Sequence, residues 1–242
     1  MIKADLHIHS NFSRDGQSSP KEIVKSAMEK GIDCICITDH EEVRGAIEAM
    51  KYAFDKNLLV VPGIEITSQA GDILGINVKK IIPKGLTLEK TIEEIKKQGG
   101  IAVVAHPFGW PLPGGFRIGK KKISDYQISG LEAFNAALIF NFSNRKALNF
   151  SQENNLPPTA GSDSHHADFV GRGHLKIKKN ILSEKDLIAE ILAKNIEIGG
   201  SPLNFLEILK NSAKGNVGSA FSRVIFYCLN QIKKGLVRPE KT

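Results

Sequence analysis

Short apolar runs alternate along the chain with longer stretches in which hydrophobic positions recur at helical spacing. The apolar runs, which predict strands, lie at 2–8, 34–38, 58–61, 64–66, 73–78, 101–105, 131–134, 159–161, 175–177 and 196–198. The helical stretches lie at 20–30, 41–55, 88–98, 143–154 and 183–194. Because strands and helices alternate, the pattern predicts an α/β fold with parallel strands and helices outside, either a barrel or a doubly wound sheet.

The last part of the chain, 201–242, differs from the rest in charge. It holds seven Lys and Arg against two Glu, so it carries +5 of the net charge of +7. Phe221, Val224, Ile225 and Cys228 recur there at helical spacing. We therefore predict an α/β domain at 1–200 and a basic helical extension at 201–242, which packs on that domain or on a partner subunit. A solvated helix face explains the excess charge, and an anionic partner such as nucleic acid or lipid is the alternative.

The composition narrows the class of protein. The chain has 242 residues, of which 41% are hydrophobic and 24% charged, as in globular proteins and unlike disordered ones. No apolar run approaches the roughly 20 residues of a membrane span. The chain starts directly on the first predicted strand, which leaves no room for a signal peptide. Its three cysteines are too few for a disulfide framework. These features predict a cytoplasmic protein.

Histidine and acidic side chains stand at or near the ends of the predicted strands. His7 and His9 share one face of the first strand, because side chains alternate with a period of two. The other strand-end residues of this kind are His40, Glu65, Asp72, His106, Asp163 and His165. In parallel α/β folds the carboxyl ends of the strands converge on one rim, where active sites form. Imidazole and carboxylate groups gathered there suit Zn, Mn or Fe, which also neutralise charges that are costly in a dry site.

Each of these signals is weak when it stands alone. A single His-x-His pair, a helix cap at Asp39 or a buried strand Glu is as well explained by structure as by chemistry. Cys34 and Cys36 also share a face, but they lie in a core strand and are predicted to be buried thiols rather than ligands. What favours a metal site is the combination of separate chain segments, one class of residue and one structural location.

The segments that carry these residues resemble the polymerase and histidinol phosphatase (PHP) family. The matching motifs are Asp5-Leu6-His7-Ile8-His9-Ser10, Ser13-Arg14-Asp15-Gly16, Ile37-Thr38-Asp39-His40, Pro62-Gly63-Ile64-Glu65-Ile66, Gly71-Asp72-Ile73-Leu74-Gly75, Ala105-His106-Pro107-Phe108, Leu131-Glu132-Ala133-Phe134-Asn135 and Gly161-Ser162-Asp163-Ser164-His165. They follow the family's order and cover most of 2–200, but not the extension. The resemblance implies a distorted (β/α)7 TIM-like barrel with up to three metals at its rim.

The resemblance also implies how the ligands are shared. One metal would be held by His7, His9, Glu65 and Asp163, a second by Glu65 and His106, and a third by Asp15, His40 and His165. Many relatives have His where this chain has Asp72, which is still able to ligate through oxygen. Asp39 is expected to orient a ligand, as residues behind metal ligands do. Glu132 and Asn135 match the family pattern, and the sequence assigns them no direct role.

Two or three divalent metals at one rim predict hydrolysis of a phosphomonoester by a metal-activated water. Glu65, Asp163 and His165 would take part in this chemistry, with His165 or His166 as a candidate proton donor. Arg172, which stands between two glycines near the Asp163 motif, is the first candidate to receive the anionic substrate. A solvated loop charge is its alternative role.

The substrate stays open at this stage. A nucleotide or oligonucleotide is the first candidate, which the basic extension favours, and histidinol phosphate or a phosphotyrosyl protein are the alternatives within the resemblance. A catalytically idle binding module is another class, although an idle site need not keep a near-complete set of ligands. An amidohydrolase is a third class. Those barrels typically bring a metal-bridging Lys on a strand, and no predicted strand presents one.

Overall fold

The computed structural model describes residues 1–109, 116–117, 123–138 and 141–211. Within these ranges nine strands and six α-helices follow one another along the chain. The strands are β1 (Ile2–Ile8), β2 (Cys34–Ile37), β3 (Leu59–Ser68), β4 (Gly71–Ile76), β5 (Ile101–Val104), β6 (Gly130–Asn135), β7 (Pro158–Gly161), β8 (Gly173–Ile177) and β9 (Ile196–Gly200). The helices are α1 (Pro20–Glu29), α2 (Arg44–Ala53), α3 (Leu88–Lys97), α4 (Asn141–Glu153), α5 (Glu184–Leu192) and α6 (Phe205–Asn211).

The strands form one sheet in the order β7-β6-β5-β4-β3-β2-β1-β8-β9. This sheet curves into a nearly closed barrel, because the end of β1 meets the chain that follows β7. The His9 N–H donates to the Ser164 carbonyl at 2.9 Å, and the Asp163 N–H donates to the His7 carbonyl at 2.8 Å. The predicted α/β fold, a distorted TIM-like barrel, is therefore confirmed. Its closure places the end of β1, which carries His7, beside the chain after β7, which carries Asp163.

The strand pairing is mixed, so the prediction of parallel strands is wrong for part of the sheet. The pairs β1–β2, β2–β3, β5–β6 and β6–β7 are parallel, whereas β3–β4, β4–β5, β1–β8 and β8–β9 are antiparallel. Only Gln69 and Ala70 separate β3 from β4. A connection of two residues closes a hairpin, while a parallel crossover needs about a dozen residues or more. Strand–helix alternation could not show this local exception.

β3 is one continuous strand where the sequence predicted two short ones on either side of Pro62-Gly63. Its residues up to Pro62 pair with β2, and those from Gly63 onward pair with β4. A Cβ atom at Gly63 would lie 2.5 Å from the Cys36 Sγ atom, so a glycine is required for this close approach. β3 thus changes partner at Gly63 and carries Glu65 to the rim of the barrel.

The two faces of β2 pack into different parts of the core. Cys34 and Cys36 lie in a cluster formed by strands from around the barrel, while Ile35 and Ile37 pack against α1 and α2. Both thiols are free and completely buried, and burial raises the pKa of each. The prediction that these cysteines are core residues is confirmed.

Residues 201–211 run along the barrel after β9. The Ser201 N–H donates to the Arg172 carbonyl at 2.9 Å, and the Leu203 N–H donates to the Ala136 carbonyl at 2.8 Å. The helical spacing predicted at 221–232 lies outside the described residues. In the ranges given above, no helix combines the length and apolar character that crossing a membrane requires.

Candidate metal centre

The predicted ligands come together at the rim of the barrel, around the carboxylate of Glu65. Its Oε2 atom lies 3.2 Å from the Nε2 atoms of both His7 and His9, and 3.6 Å from His40 Nδ1. Its Oε1 atom lies 3.2 Å from His106 Nε2. Glu65 is only 1% exposed. One carboxylate thus faces four imidazoles from three chain segments, as expected of a bridging ligand.

Asp163 faces the same two histidines across the barrel seam, the junction at which the end of β1 meets the chain that follows β7. Its Oδ1 atom lies 3.3 Å from His9 Nε2 and 3.5 Å from His7 Nε2. The backbone of Asp163 has a φ of 51°, in the left-handed region that non-glycine residues rarely adopt. This strained turn after β7 aims the carboxylate at the seam. His7, His9, Glu65 and Asp163 therefore meet as the sequence predicted.

Asp15 brings a third group of side chains together. Its Oδ2 atom lies 3.2 Å from His40 Nε2 and 3.5 Å from His165 Nε2. Its Oδ1 atom accepts a hydrogen bond from the Ser13 hydroxyl at 2.6 Å. The imidazole of His165 also stacks on that of His9, with ring centroids 4.4 Å apart. The third group therefore adjoins the first.

Among the described residues, four groups offer three ligand atoms that all lie within 4.8 Å of one another. The groups are His7–Glu65–His106, His7–His9–Asp163, His9–His40–Glu65 and His9–Asp15–His165. They overlap in His7, His9 and Glu65, so the whole set is one continuous cluster. His9 joins three groups, whereas the sequence placed it with one metal. His40 falls with His9 and Glu65 in this grouping and also lies beside Asp15.

The donor atoms fit divalent cations. The Nε2 atoms of His7 and His9 lie 3.1 Å apart, and both point at the same oxygens of Glu65 and Asp163. Nitrogen and oxygen lone pairs that converge in this way, on buried side chains, suit Zn, Mn or Fe.

The electrostatics of the cluster lead to the same conclusion. Burial lowers the pKa of His9 and of His106, but the hydrogen bonds that their imidazoles donate to the neighbouring carboxylates outweigh burial and raise these values to about 10 and about 9. Burial raises the pKa of Glu65 and Asp163, but the charge of His7 outweighs it and holds both well below their usual range. The ionised carboxylates thus favour positive charge in this buried space. Bound cations are able to provide that charge in place of the protons on the imidazoles.

Asp72 lies beside this cluster but belongs to none of the four groups. It is 6% exposed, and its Oδ1 atom has no hydrogen-bond partner in the described structure. Burial and the charge of Glu65 raise its pKa. A buried carboxylate oxygen without a partner is costly unless a cation or proton satisfies it. Ligation of a metal by Asp72 stays a prediction.

Glu132 and Asn135 on β6 support the ligands from behind. Glu132 Oε1 accepts a hydrogen bond from His7 Nδ1 at 2.9 Å, while its Oε2 accepts from the His106 N–H at 2.8 Å. Asn135 Nδ2 donates at 3.0 Å to both Glu132 Oε2 and Asp163 Oδ2. No role could be assigned to these residues from sequence, because nothing in their local pattern points to partners so distant along the chain.

Asp5 and Asp39 hold the backbone around the centre. Asp5 Oδ1 accepts from the Ser162 N–H at 2.9 Å and Oδ2 from the Gly171 N–H at 2.7 Å. Burial raises the pKa of Asp5 to about 6. Asp39 accepts from both the N–H and the hydroxyl of Ser10 at 2.6 Å. It therefore fixes the turn after His9, where the sequence led us to expect a direct bond to a ligand.

Arg172 is oriented toward the C-terminal segment. Its guanidinium donates two hydrogen bonds to the Glu207 carboxylate, at 3.1 and 3.0 Å, and a third to the Pro202 carbonyl. His166 Nδ1 accepts from the Asp168 N–H at 3.2 Å and belongs to none of the four groups. A substrate-binding role for Arg172 stays a prediction.

Two family models match this chain. The PHP domain model matches residues 5–98, and the PHP-associated model matches residues 141–196. An uncharacterised protein of Methanocaldococcus jannaschii is 39% identical over 158 residues, which are 61% of this chain and 90% of that relative. A 5′-3′ exoribonuclease of Haemophilus influenzae is 30% identical over 105 residues, which are 42% of this chain and 38% of that enzyme.

The fold has solved counterparts. A two-domain protein of Bacteroides vulgatus that contains a PHP-like metal-dependent phosphoesterase matches with a TM-score of 0.67 and 25% identity. The match covers 83% of this chain and 65% of that protein. The two models together span His7, His9, His40, Glu65, Asp163 and His165, all of which lie in the cluster described above. The chain therefore belongs to the PHP family, and its barrel is that of the PHP-like metal-dependent phosphoesterases.

Proposed function

We propose that this protein hydrolyses phosphomonoesters at a centre of two or three divalent metals, with nucleotides or short oligonucleotides as substrates. The observation that carries the proposal is the contact of one buried carboxylate, Glu65, with four imidazoles. His7, His9, Glu65 and Asp163 would hold one metal, and Glu65 with His106 a second. Asp15, His40 and His165 would hold a third. The mixed nitrogen and oxygen donors favour Zn, Mn or Fe.

The metals, when bound, lower the pKa of a water molecule and neutralise charge on phosphate oxygens. The protein's part is to hold the donors rigidly. Glu132 and Asn135 fix His7 and Asp163 by hydrogen bonds, and burial keeps bulk water from the seam. His165 Nδ1 donates to the Asp163 carbonyl at 3.1 Å, so its Nε2 atom faces the cluster as a ligand or as a proton donor to the leaving oxygen.

A cleft formed by α4 and Phe108 supports the proposal of a nucleotide substrate. Phe108, two residues after His106, lines a space of about 480 Å³ together with Phe142, Arg145, Lys146 and Phe150. Phe142 is 55% exposed, and Lys146 Nζ lies 4.4 Å from the centre of the Phe108 ring. Exposed aromatic rings stack on nucleobases, and neighbouring cations bind phosphates. The exoribonuclease of Haemophilus influenzae, named for an activity on RNA, is consistent with this substrate class.

The catalytic proposal is tested with metal-free protein reconstituted with Mn²⁺. We expect turnover of p-nitrophenyl phosphate, which Glu65→Gln abolishes together with metal binding, whereas Glu190→Gln, a change at a buried glutamate of the outer helix α5, retains both. Turnover by Glu65→Gln at the wild-type rate would refute the centre. Metal binding without turnover on any substrate would indicate a binding module instead.

The substrate class is tested with a panel of nucleoside monophosphates, short oligonucleotides, histidinol phosphate and a phosphotyrosyl peptide. We expect Phe142→Ala to raise KM for nucleotides about tenfold, equivalent to roughly 1–3 kcal/mol of stacking, and to leave p-nitrophenyl phosphate unchanged. Phe54→Ala is the matched control, because Phe54 is 92% exposed and follows the C-terminal end of α2, away from the rim. Preferred turnover of histidinol phosphate or the phosphopeptide would reassign the substrate.

A further inference from the structure

The C-terminal segment reaches the metal centre through α6. Arg172 forms its two hydrogen bonds with Glu207 on this helix, and Gln17 Nε2 donates to the Lys210 carbonyl at 3.3 Å. Asn211, the last residue of α6, is 4% exposed. It lies outside the residues that the two family models match. The extension therefore places one buried polar side chain at the rim of the barrel.

The amide of Asn211 bridges the backbone on either side of Ser164. Its Oδ1 atom accepts from the His165 N–H at 2.7 Å, and its Nδ2 atom donates to the Asp163 carbonyl at 2.9 Å. In the opposite orientation of the amide, its NH2 group would face the His165 N–H and its oxygen would face the Asp163 carbonyl. The two backbone partners therefore fix the orientation observed. Both hydrogen bonds are local to the turn that carries two predicted ligands.

We infer that Asn211 is a positioning residue for the metal centre, an inference that rests on the proposed function. The Asp163 carbonyl receives hydrogen bonds from Asn211 and from His165 Nδ1, which is 3.1 Å away. These two donors hold Asp163 in its left-handed conformation, with a φ of 51°. They also leave His165 Nε2 free on the side of Asp15, 3.5 Å away. Without the hydrogen bonds of Asn211 the turn is free to relax, and the side chains of Asp163 and His165 lose the orientation that metal binding requires.

The inference predicts a defect in metal binding that exceeds any loss of fold stability. Metal-free wild-type protein, Asn211→Ala and Asn211→Asp are titrated with Mn²⁺ by calorimetry, and their Co²⁺ forms are compared by visible absorption. We expect Asn211→Ala to weaken, by about 10–100-fold, the two neighbouring sites to which Asp163 and His165 belong and to change the Co²⁺ spectrum. Asn211→Asp keeps the acceptor for His165 but sets an oxygen against the Asp163 carbonyl, so we expect at least the same loss.

Lys210→Ala is the matched control, since Lys210 lies on the same turn of α6, is exposed and pairs with Asp168 away from the ligand turn. It should bind Mn²⁺ as the wild type does, and the metal-free Tm values of the variants should agree within about 4 °C. Wild-type Mn²⁺ affinity in both Asn211 variants would overturn the inference, as would an equal loss in Lys210→Ala. If Asn211→Ala fails to fold, the Mn²⁺ affinity of Asn211→Asp decides whether the inference holds. A wild-type protein that binds no Mn²⁺ would contradict the proposed function and remove this inference with it.

Discussion

The Nδ1 atom of His7 donates a hydrogen bond to Glu132 Oε1 at 2.9 Å, although the two residues stand 125 positions apart in the chain. The bond leaves His7 Nε2 as the free nitrogen, which faces Glu65 and Asp163. Glu132 Oε2 accepts from the backbone N–H of His106 and from Asn135. One carboxylate therefore orients the side chain of His7 on β1 and the backbone of His106 after β5. Support of this kind fixes both the tautomer and the direction of a ligand.

We predict that Glu132→Gln lowers metal affinity by about 10–100-fold. A glutamine is able to accept from His7 or from the His106 N–H, but its amide nitrogen then faces one of these donors. Calorimetric titration of metal-free protein with Mn²⁺ measures the change. Glu42→Gln, at a buried glutamate that pairs with Arg44, is the control and should bind Mn²⁺ normally. Equal affinities of Glu132→Gln and the wild type would show that Glu132 does not orient His7.

We predict that metal binding at pH 7.5 releases protons. The pKa of His9 is raised to about 10 and that of His106 to about 9, so both are protonated in the metal-free protein at this pH. A metal binds neutral imidazole, so these protons must leave, and apparent affinity should rise as the pH rises from about 6 to 9. Calorimetry in two buffers of different ionisation enthalpy measures the release. A binding enthalpy that does not depend on the buffer would contradict the prediction.

A pair of variants separates the predicted substrate-binding role of Arg172 from its observed contact with Glu207. If it receives the substrate phosphate, Arg172→Ala raises KM for phosphomonoesters about tenfold, since a hydrogen bond to a charged group contributes about 1.5–3 kcal/mol. Glu207→Gln keeps the guanidinium and should leave KM near the wild-type value. Steady-state kinetics on p-nitrophenyl phosphate give the KM values of both variants. Equal changes in the two variants would indicate that Arg172 only anchors α6 to the barrel.

Gly161 at the end of β7 allows the barrel seam to close against His7. A Cβ atom there would lie 2.3 Å from the His7 Cβ atom and 2.9 Å from Glu132 Oε1. We predict that Gly161→Ala lowers the free energy of unfolding by about 1–3 kcal/mol, as overpacking does, and weakens metal binding because His7 is displaced. Urea unfolding of the metal-free protein measures the first effect.

Gly130→Ala, at the start of the neighbouring strand, is the control for Gly161→Ala. The atom nearest to its Cβ would be 3.1 Å away, so the neighbour has to move much less. We expect a smaller loss of stability and unchanged affinity for Mn²⁺. If Gly161→Ala were as stable as the wild type, the close approach of β7 to His7 would not be required.

Most ligand candidates of the centre could be predicted from local sequence pattern, and the family resemblance added Asp15. Period-two alternation placed His7 and His9 on one face, and the positions of His40, Glu65, His106 and Asp163 at strand ends indicated a common rim. These signals are local, because they depend on strand periodicity and on where an apolar run stops. The buried state of Cys34 and Cys36 could be predicted for the same reason.

How the centre is held depends on contacts between distant segments, which become visible only in the folded chain. The hairpin of β3 and β4, the hydrogen bond from His7 to Glu132 and the bridge from Asn211 to Asp163 join residues whose proximity depends on strand order and barrel closure. Local hydrophobic pattern carries no information on such pairs, because a hydrogen bond between distant segments forms only after the backbone has brought them together. The candidate metal ligands can thus be identified from the sequence, whereas the orientation of their side chains depends on the closed barrel.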